Sequence, residues 1–436
     1  MRIFALFLFL QSIEPLSDRV LVQEQEHHRS DVPPMTLAQI QALALEDNRE
    51  IRAAKERVGL ARAGITPSTA IDDPSFMYRA WGTPLLAPWN LNQTQHMFMF
   101  SQTLPAAGKR ELRYAEATQA ADVAEAELEA KKADVIARVR AAFYDLLRNQ
   151  DELRLHDEQT TLARQAVAAA RIKYTVGRVP QQDVLKAQIA VTRLADHLAM
   201  FIQDGDLARA RLNTLMGRDP AAPLEVTGEY AMPARLPALA ELKQMALEHR
   251  PELKAIAAAT RGLETRVRLA EKNYKPDVSI GAGYMLMPAG AMNRHGYMAE
   301  LSFNLPWLNR SKHDSEIREA QSQVNAQRAE FSAQEAMVLQ EIQEALIRAN
   351  TAARLVEIYR DTLRPQAQAT LRAASAAYQT DQTDFLNLID SQNTALDVEY
   401  SYYRALAEFD SRVSEVERAV GWPLPRELRA GMGDQP

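Results

Sequence analysis

The chain has 436 residues, 47% apolar and 25% charged, which is ample for a sizeable folded core. Its formal charge of −6 argues against a nucleic-acid partner, which needs basic patches to displace counterions. The absence of cysteine excludes disulfides, thiolate zinc sites, a cysteine nucleophile and a lipidated cysteine. No apolar run approaches the ~18 residues of a membrane-spanning helix, a limit that does not touch the short, alternately apolar strands of a membrane β-barrel.

In chain order, Arg2 followed by the apolar run Ile3–Leu10 reads as a secretory signal, and the polar stretch from Gln23 to Pro34 as a linker, together residues 1–35. The pair His27 and His28 lies in this polar stretch and reads as solvated rather than as a metal site.

The rest of the chain repeats itself. Glu50-Ile51-Arg52-Ala53 recurs as Glu252-Leu253-Lys254-Ala255, Pro74 as Pro276, Ser101 and Pro105 as Ser302 and Pro306, Tyr174 as Tyr378 and Gly217 as Gly421. A shift of about 200 residues, nearly constant over both halves, implies duplication of one long unit. The first copy spans 36–220, with strands near 74–81 and 94–103 and a helical hairpin over 106–217. The second spans 221–436, with strands near 276–287 and 296–305 and a hairpin over 307–421.

Thr36 to Ala63 has helical periodicity. Lys109 to Val176 contains 68 residues without Gly or Pro, which predicts a continuous helix of ~100 Å and hence a coiled-coil element. Val135, Val139, Ala142, Leu146, Asn149 and Leu153 mark its packing seam, and Ile342, Ala345, Ala349, Ala352, Val356 and Tyr359 the second one. Pro365 interrupts the second long helix and predicts a kink or offset there.

Between short and long helices the period falls to two. Val278, Ile280, Ala282, Tyr284 and Leu286 alternate with Ser279, Gly281 and Gly283; Tyr297, Ala299, Leu301 and Phe303 alternate with Met298, Glu300 and Ser302. The repeat puts Phe76, Tyr78, Phe98 and Phe100 on the same apolar side. Strands of this length, aromatic on one face, suit an outer membrane. Four strands cannot close a barrel and open edges are not tolerated in lipid, so either they form a soluble sheet against the helices or several chains share one barrel; the long helices leave a soluble sheet little to do and favour the shared barrel.

Two motifs carry a family resemblance. Tyr174-Thr-Val-Gly177-Arg-Val-Pro-Gln-Gln-Asp183-Val-Leu stands at one helix turn, and Tyr378-Gln-Thr-Asp381-Gln-Thr-Asp384-Phe-Leu-Asn387-Leu-Ile-Asp390 at the other. Ser101-Gln-Thr-Leu-Pro105-Ala-Ala-Gly108-Lys109-Arg110 follows the second strand. The chain resembles the TolC-like outer-membrane efflux proteins, and the last motif resembles their heavy-metal (Czc- and Cus-type) branch. It departs from the pattern at Asp381, where glycine is usual, and at Asn387, where aspartate is usual. The resemblance implies a mainly α chain whose four strands close a 12-stranded β-barrel and α-helical tunnel as a homotrimer. It implies a location in the outer membrane with the helical part in the periplasm. It further implies a periplasmic adaptor, a proton-driven inner-membrane pump of the resistance-nodulation-division type, and a passive duct without catalysis or cofactor. Heavy-metal cations are the expected cargo; a duct for drugs or other small organic compounds is the alternative, and a periplasmic coiled-coil adaptor or scaffold the second.

On that basis Tyr378, Asp381, Asp384, Asn387 and Asp390, facing Arg178 and Lys186 of the other turn, are the expected periplasmic gate. Val176, Gly177, Arg178, Val179 and Asp183 are the expected adaptor-docking residues. Alternation also puts Met77, Met97, Met99, Met285 and Met298 on the non-lipid face, where thioether sulfur suits soft metals. No phosphate-binding loop, dinucleotide fingerprint, nucleophile elbow or zincin motif is present.

Overall fold

The computed structural model describes residues 32–83, 85–86, 90, 92–233, 236–380 and 382–424. The expected signal segment and linker up to residue 31, the His27–His28 pair and Asp381 lie outside them. The described chain forms two compact units. One comprises the leading segment to Arg52, Lys131–Arg250 and Val338 onward; the other comprises Ala53–Ala130 and Pro251–Met337. Each draws on both expected repeats, so compactness and repetition divide the chain differently.

The expected first helix is two, α1 (Leu37–Asp47) and α2 (Arg49–Ala63), because Asn48 breaks it in extended backbone. Thr36 starts α1 with a capping box closed by Gln39. A short α3 (Ile65–Thr69) leads to β1 (Ser75–Trp81) and β2 (Gln95–Leu104). Then comes α4 (Lys109–Thr175), a single helix of 67 residues, and α5 (Gln181–Leu215). The second half has α6 (Leu239–His249), α7 (Pro251–Lys272), β3 (Val278–Leu286), β4 (His295–Phe303) and a 3₁₀ turn over Pro306–Asn309. It continues through α8 (Arg310–Ile358), α9 (Arg364–Gln379) and α10 (Phe385–Val420). Between α8 and α9 the backbone widens into a π-turn over Tyr359–Leu363, just before Pro365. The expected offset there is thus a π-bulge, which accommodates a residue without an N–H donor.

In the helical unit, Ile40, Ile51, Phe143, Leu146, Leu212, Met216, Leu242 and Ile342 are fully buried. The seam of α4 runs through Val135, Val139, Ala142, Leu146 and Asn149 as expected, then departs from it. Leu153 is only half-buried, while Glu152 and His156 are buried. Their partners account for this: Arg148 pairs with Glu152 at 2.6 Å, and His156 Nε2 donates to the Leu194 carbonyl at 2.8 Å. Gly205 makes room for the approach of Asn149, because a β-carbon there would lie 2.4 Å from Asn149 Oδ1.

In the other unit the four strands form one antiparallel sheet in the order β1-β2-β3-β4. Opposite residues include Phe76 and Phe100, Tyr78 and Phe98, Phe98 and Tyr284, and Tyr284 and Tyr297.

Candidate functional site

Three parts of the chain carry the features expected to be functional. The first is the sheet, whose register gives it two chemically different faces. Phe76, Tyr78, Phe98, Phe100, Ile280, Tyr297, Leu301 and Phe303 are exposed on one face. The rings pack along it, with Phe76 4.9 Å from Phe100 and Tyr78 5.2 Å from Phe98 between centroids. Tyr78 and Tyr284 also bond, by their hydroxyls, to Nδ1 of His96 and His295. The opposite face carries Met77, Met97, Met99, Met285 and Met298, with Ser75, Ser101 and Glu300 in the adjoining row.

The second part is the stretch from Ser101 to Arg110, which ties strand ends to helix starts. Ser101 and Ser75 bond through their hydroxyls at 2.7 Å, Gln102 donates to the Asp72 carbonyl at 2.6 Å, and Arg110 to that of Thr69 at 2.9 Å. Gly108 has φ +88°, a left-handed conformation that suits glycine. Lys109 is buried, and its ammonium lies 2.9 Å from Asp277. Burial pushes the Asp277 carboxyl up, but Lys109, the Ala106 amide and Arg113 outweigh it and hold the carboxyl below the usual carboxylate range. The repeat gives no hint of this pair, since the residues at matching positions are Ser75 and Arg310.

The third part is the pair of helix turns. α4 ends in a Schellman motif: Arg178 N–H donates to the Lys173 carbonyl at 2.9 Å, Gly177 N–H to that of Tyr174 at 3.0 Å, and Gly177 has φ +71°. Val176 and Arg178 are exposed, Val179 is half-buried, and the Asp183 N–H donates to the Pro180 carbonyl at 3.1 Å. In the second turn Gln382 N–H donates to the Ala377 carbonyl at 2.8 Å. Asp384 is the N-cap of α10, its carboxylate accepting from the Asn387 N–H at 3.0 Å. Asn387 donates its side-chain amide to Thr383 Oγ1 at 3.2 Å. Asp390 is exposed and Lys186 half-buried.

The structure brings the two turns together. Ala170 of α4, Ala187 of α5, Tyr378 of α9 and Leu388 of α10 form one buried cluster. Over it, Lys173 Nζ lies 3.8 Å from the centre of the Tyr378 ring and donates to the Tyr378 carbonyl at 3.3 Å. This cation–π contact joins the turns. The matching tyrosines also differ: Tyr174 is 45% exposed and Tyr378 only 9%. No group of three or more His, Asp or Glu residues able to hold a metal ion occurs among the described residues.

Comparison with known proteins gives a consistent result. The family model described as outer membrane efflux protein matches residues 41–218 and 242–421. The cobalt-zinc-cadmium resistance protein CzcC of Cupriavidus metallidurans is 22% identical over 394 residues, covering 90% of this chain and 91% of that one. Nodulation protein T of Rhizobium leguminosarum bv. trifolii is 20% identical over 408 residues, covering 89% and 86%. The fold is shared with the outer-membrane channel OprN, at TM-score 0.72 and 20% identity, over 88% of this chain and 89% of that one. It is shared equally with CusC, at TM-score 0.75 and 16% identity, over 88% and 92%.

Proposed function

The chain belongs to the outer membrane efflux protein family, and from that premise we propose that it is the passive exit duct of a tripartite system exporting heavy-metal cations. One observation carries the duct reading. The sheet is open at β1 and β4 while one face of it exposes eight aromatic and aliphatic side chains, from Phe76 to Phe303. Such a face suits lipid, but unpaired strand edges do not. Three chains would supply twelve strands and close the sheet, with the long helices continuing as a periplasmic tunnel. The two repeats, 36–220 and 221–436, then contribute two strands and one hairpin each. The metal cargo is supported by the likeness to CzcC, whose name states cobalt, zinc and cadmium resistance. An inner-membrane pump and a periplasmic adaptor complete the system.

Within this reading the helix turns form the periplasmic gate. Asp384 and Asp390 would present two carboxylates per chain and six per trimer, a ring that attracts cations; the motif adds Asp381, which lies outside the described residues. Tyr378 and Asn387 hold the second turn in shape, and Arg178 and Lys186 supply the opposing charge. Val176, Gly177, Arg178, Val179 and Asp183 form the adaptor-docking tip.

The decisive experiment extracts the protein from outer membranes and records it in planar bilayers. A heat-modifiable trimer with cation-selective conductance is expected; a monomer without conductance overturns the duct reading. Deleting the gene should lower tolerance to cobalt, zinc or cadmium. Lost tolerance to organic compounds alone would reassign the cargo. A cross-linking scan over 176–179 is expected to capture an adaptor, and an empty scan removes the docking assignment.

A further inference from the structure

The face of the sheet opposite the aromatic one is rich in sulfur. Register gathers five methionines into two neighbouring rows. Met77, Met99, Gly283 and Met298 stand opposite one another across the four strands, and Arg79, Met97, Met285 and Gly296 form the next row. In the first row the residue between Met99 and Met298 is glycine. A β-carbon at Gly283 would lie 2.5 Å from the Phe98 carbonyl oxygen and 3.1 Å from Met298 Cγ, so the Met298 side chain leans over that notch towards Met99. In the second row Met285 does the same, its Cε 3.6 Å from where a Gly296 β-carbon would be. Gln95 donates its amide to Met285 Sδ at 2.7 Å.

We propose that these rows are a thioether site for a soft monovalent cation, Cu(I) or Ag(I), bound chiefly by Met77, Met99 and Met298. Thioether sulfur selects such ions over the divalent cations that imidazole and carboxylate prefer. Methionine also fills irregular gaps in cores. Here four of the five are half-buried rather than enclosed, and glycine removes the side chain that would separate two of the sulfurs. A thioether carries no proton to lose, so binding should be indifferent to pH where histidine or carboxylate sites are not. Binding needs only the sheet register; that the site faces a lumen rests on the barrel reading above.

The test titrates the full-length protein in detergent with Ag(I) in chloride-free buffer, and with Cu(I) against a chromophoric Cu(I) chelator, at pH 7 and pH 5. The wild type should bind equally at both pH values and without competition from Zn(II). The combined variant Met77→Leu, Met99→Leu and Met298→Leu, near-isosteric at each position, should bind at least tenfold more weakly and keep its trimer and conductance. No binding by the wild type, equal binding by the variant, or affinity that falls at pH 5 overturns the proposal. Should the combined variant fail to assemble, Met77→Leu alone, on the edge strand, carries the test: several-fold weaker binding is expected and unchanged binding overturns it. Normal conductance without Ag(I) binding removes the site and leaves the duct; binding without conductance does the reverse.

Discussion

Asn48 donates its side-chain amide to the Leu215 carbonyl at 2.8 Å, and its Oδ1 takes the N–H groups of Glu50 and Ile51 at 2.9 and 3.1 Å. One residue thus starts α2 and finishes α5. Arg250, 202 positions later, donates to the Ala419 carbonyl at 2.7 Å, 204 positions beyond Leu215. The side chain differs but the task is the same: an orphan carbonyl at the end of a long helix receives a donor. Gly217 lets the chains approach here, since a β-carbon would lie 2.5 Å from the Asp47 carbonyl oxygen.

Replacing Asn48 by alanine removes both roles and should cost about 2 kcal/mol, the usual size of a lost cap with a lost partner. Asn48→Asp keeps the cap and loses only the donor, so its loss should be roughly half. Thermal melting of the helical circular dichroism in detergent measures both. Equal melting of all three proteins would show that the contact is incidental.

The Lys109–Asp277 pair makes a pH-dependent prediction. The folded carboxyl lies below its unfolded range, so the pair stabilises fully above the unfolded value near ~4 and loses that contribution as pH falls through the lower folded value. Acid should therefore loosen the strand–helix junction below about pH 4, and Asp277→Asn should remove that part of the dependence. Lys109→Met with Asp277 intact should cost about 1–2 kcal/mol at neutral pH, because the carboxylate left behind is one-third exposed, and the double variant less than the sum of the singles. Additive losses in urea melts would mean the two side chains act independently.

At the helix turns, Lys173 and Tyr378 predict a split between two substitutions. Tyr378→Phe keeps the ring face and should leave stability and resting conductance unchanged. Tyr378→Leu removes the cation–π contact, worth about 1 kcal/mol, and should raise resting conductance. The same rise in Lys173→Met would support the contact as the latch. In Asp384→Ser the N-cap persists while the charge goes, so cation selectivity should fall with helix stability preserved. Unaltered selectivity in Asp384→Ser combined with Asp390→Asn would refute the carboxylate ring.

Gly283→Ala tests the sheet. Its β-carbon would collide with the Phe98 carbonyl at 2.5 Å, a backbone atom with no freedom to turn aside. The variant should yield less heat-modifiable trimer than wild type. Gly290→Ala, at a position with open space but φ +99°, should cost only backbone strain, about 1–2 kcal/mol. Wild-type yields from both would show that the sheet tolerates far more movement than its register implies.

Much of the architecture is legible in local pattern. The alternation in β3 and β4 gives the facing of Tyr284, Tyr297 and Leu301, because a strand has no choice but to send neighbours to opposite sides. The uninterrupted run from Lys109 gives a helix that ends within a residue of its predicted stop. Gly177 gives the turn. The burial of Glu152 and His156 was not legible. A heptad pattern follows apolar residues and favours Leu153, whereas Arg148 and a carbonyl of α5 satisfy the polar pair. The residues proposed for docking and for the gate stand in a motif, but the motif does not show that Asp384 caps a helix.

What the sequence by itself determined is therefore what repeats within a few residues: helix length, strand facing, turn position and the echo of one half in the other. What only the tertiary structure decided is partnership. Lys109 finds Asp277 across 168 positions and Lys173 finds Tyr378 across 205. Periodicity is set by backbone geometry and is local. A buried charge or a cation over a ring is set by whichever distant side chain the folded chain delivers to it.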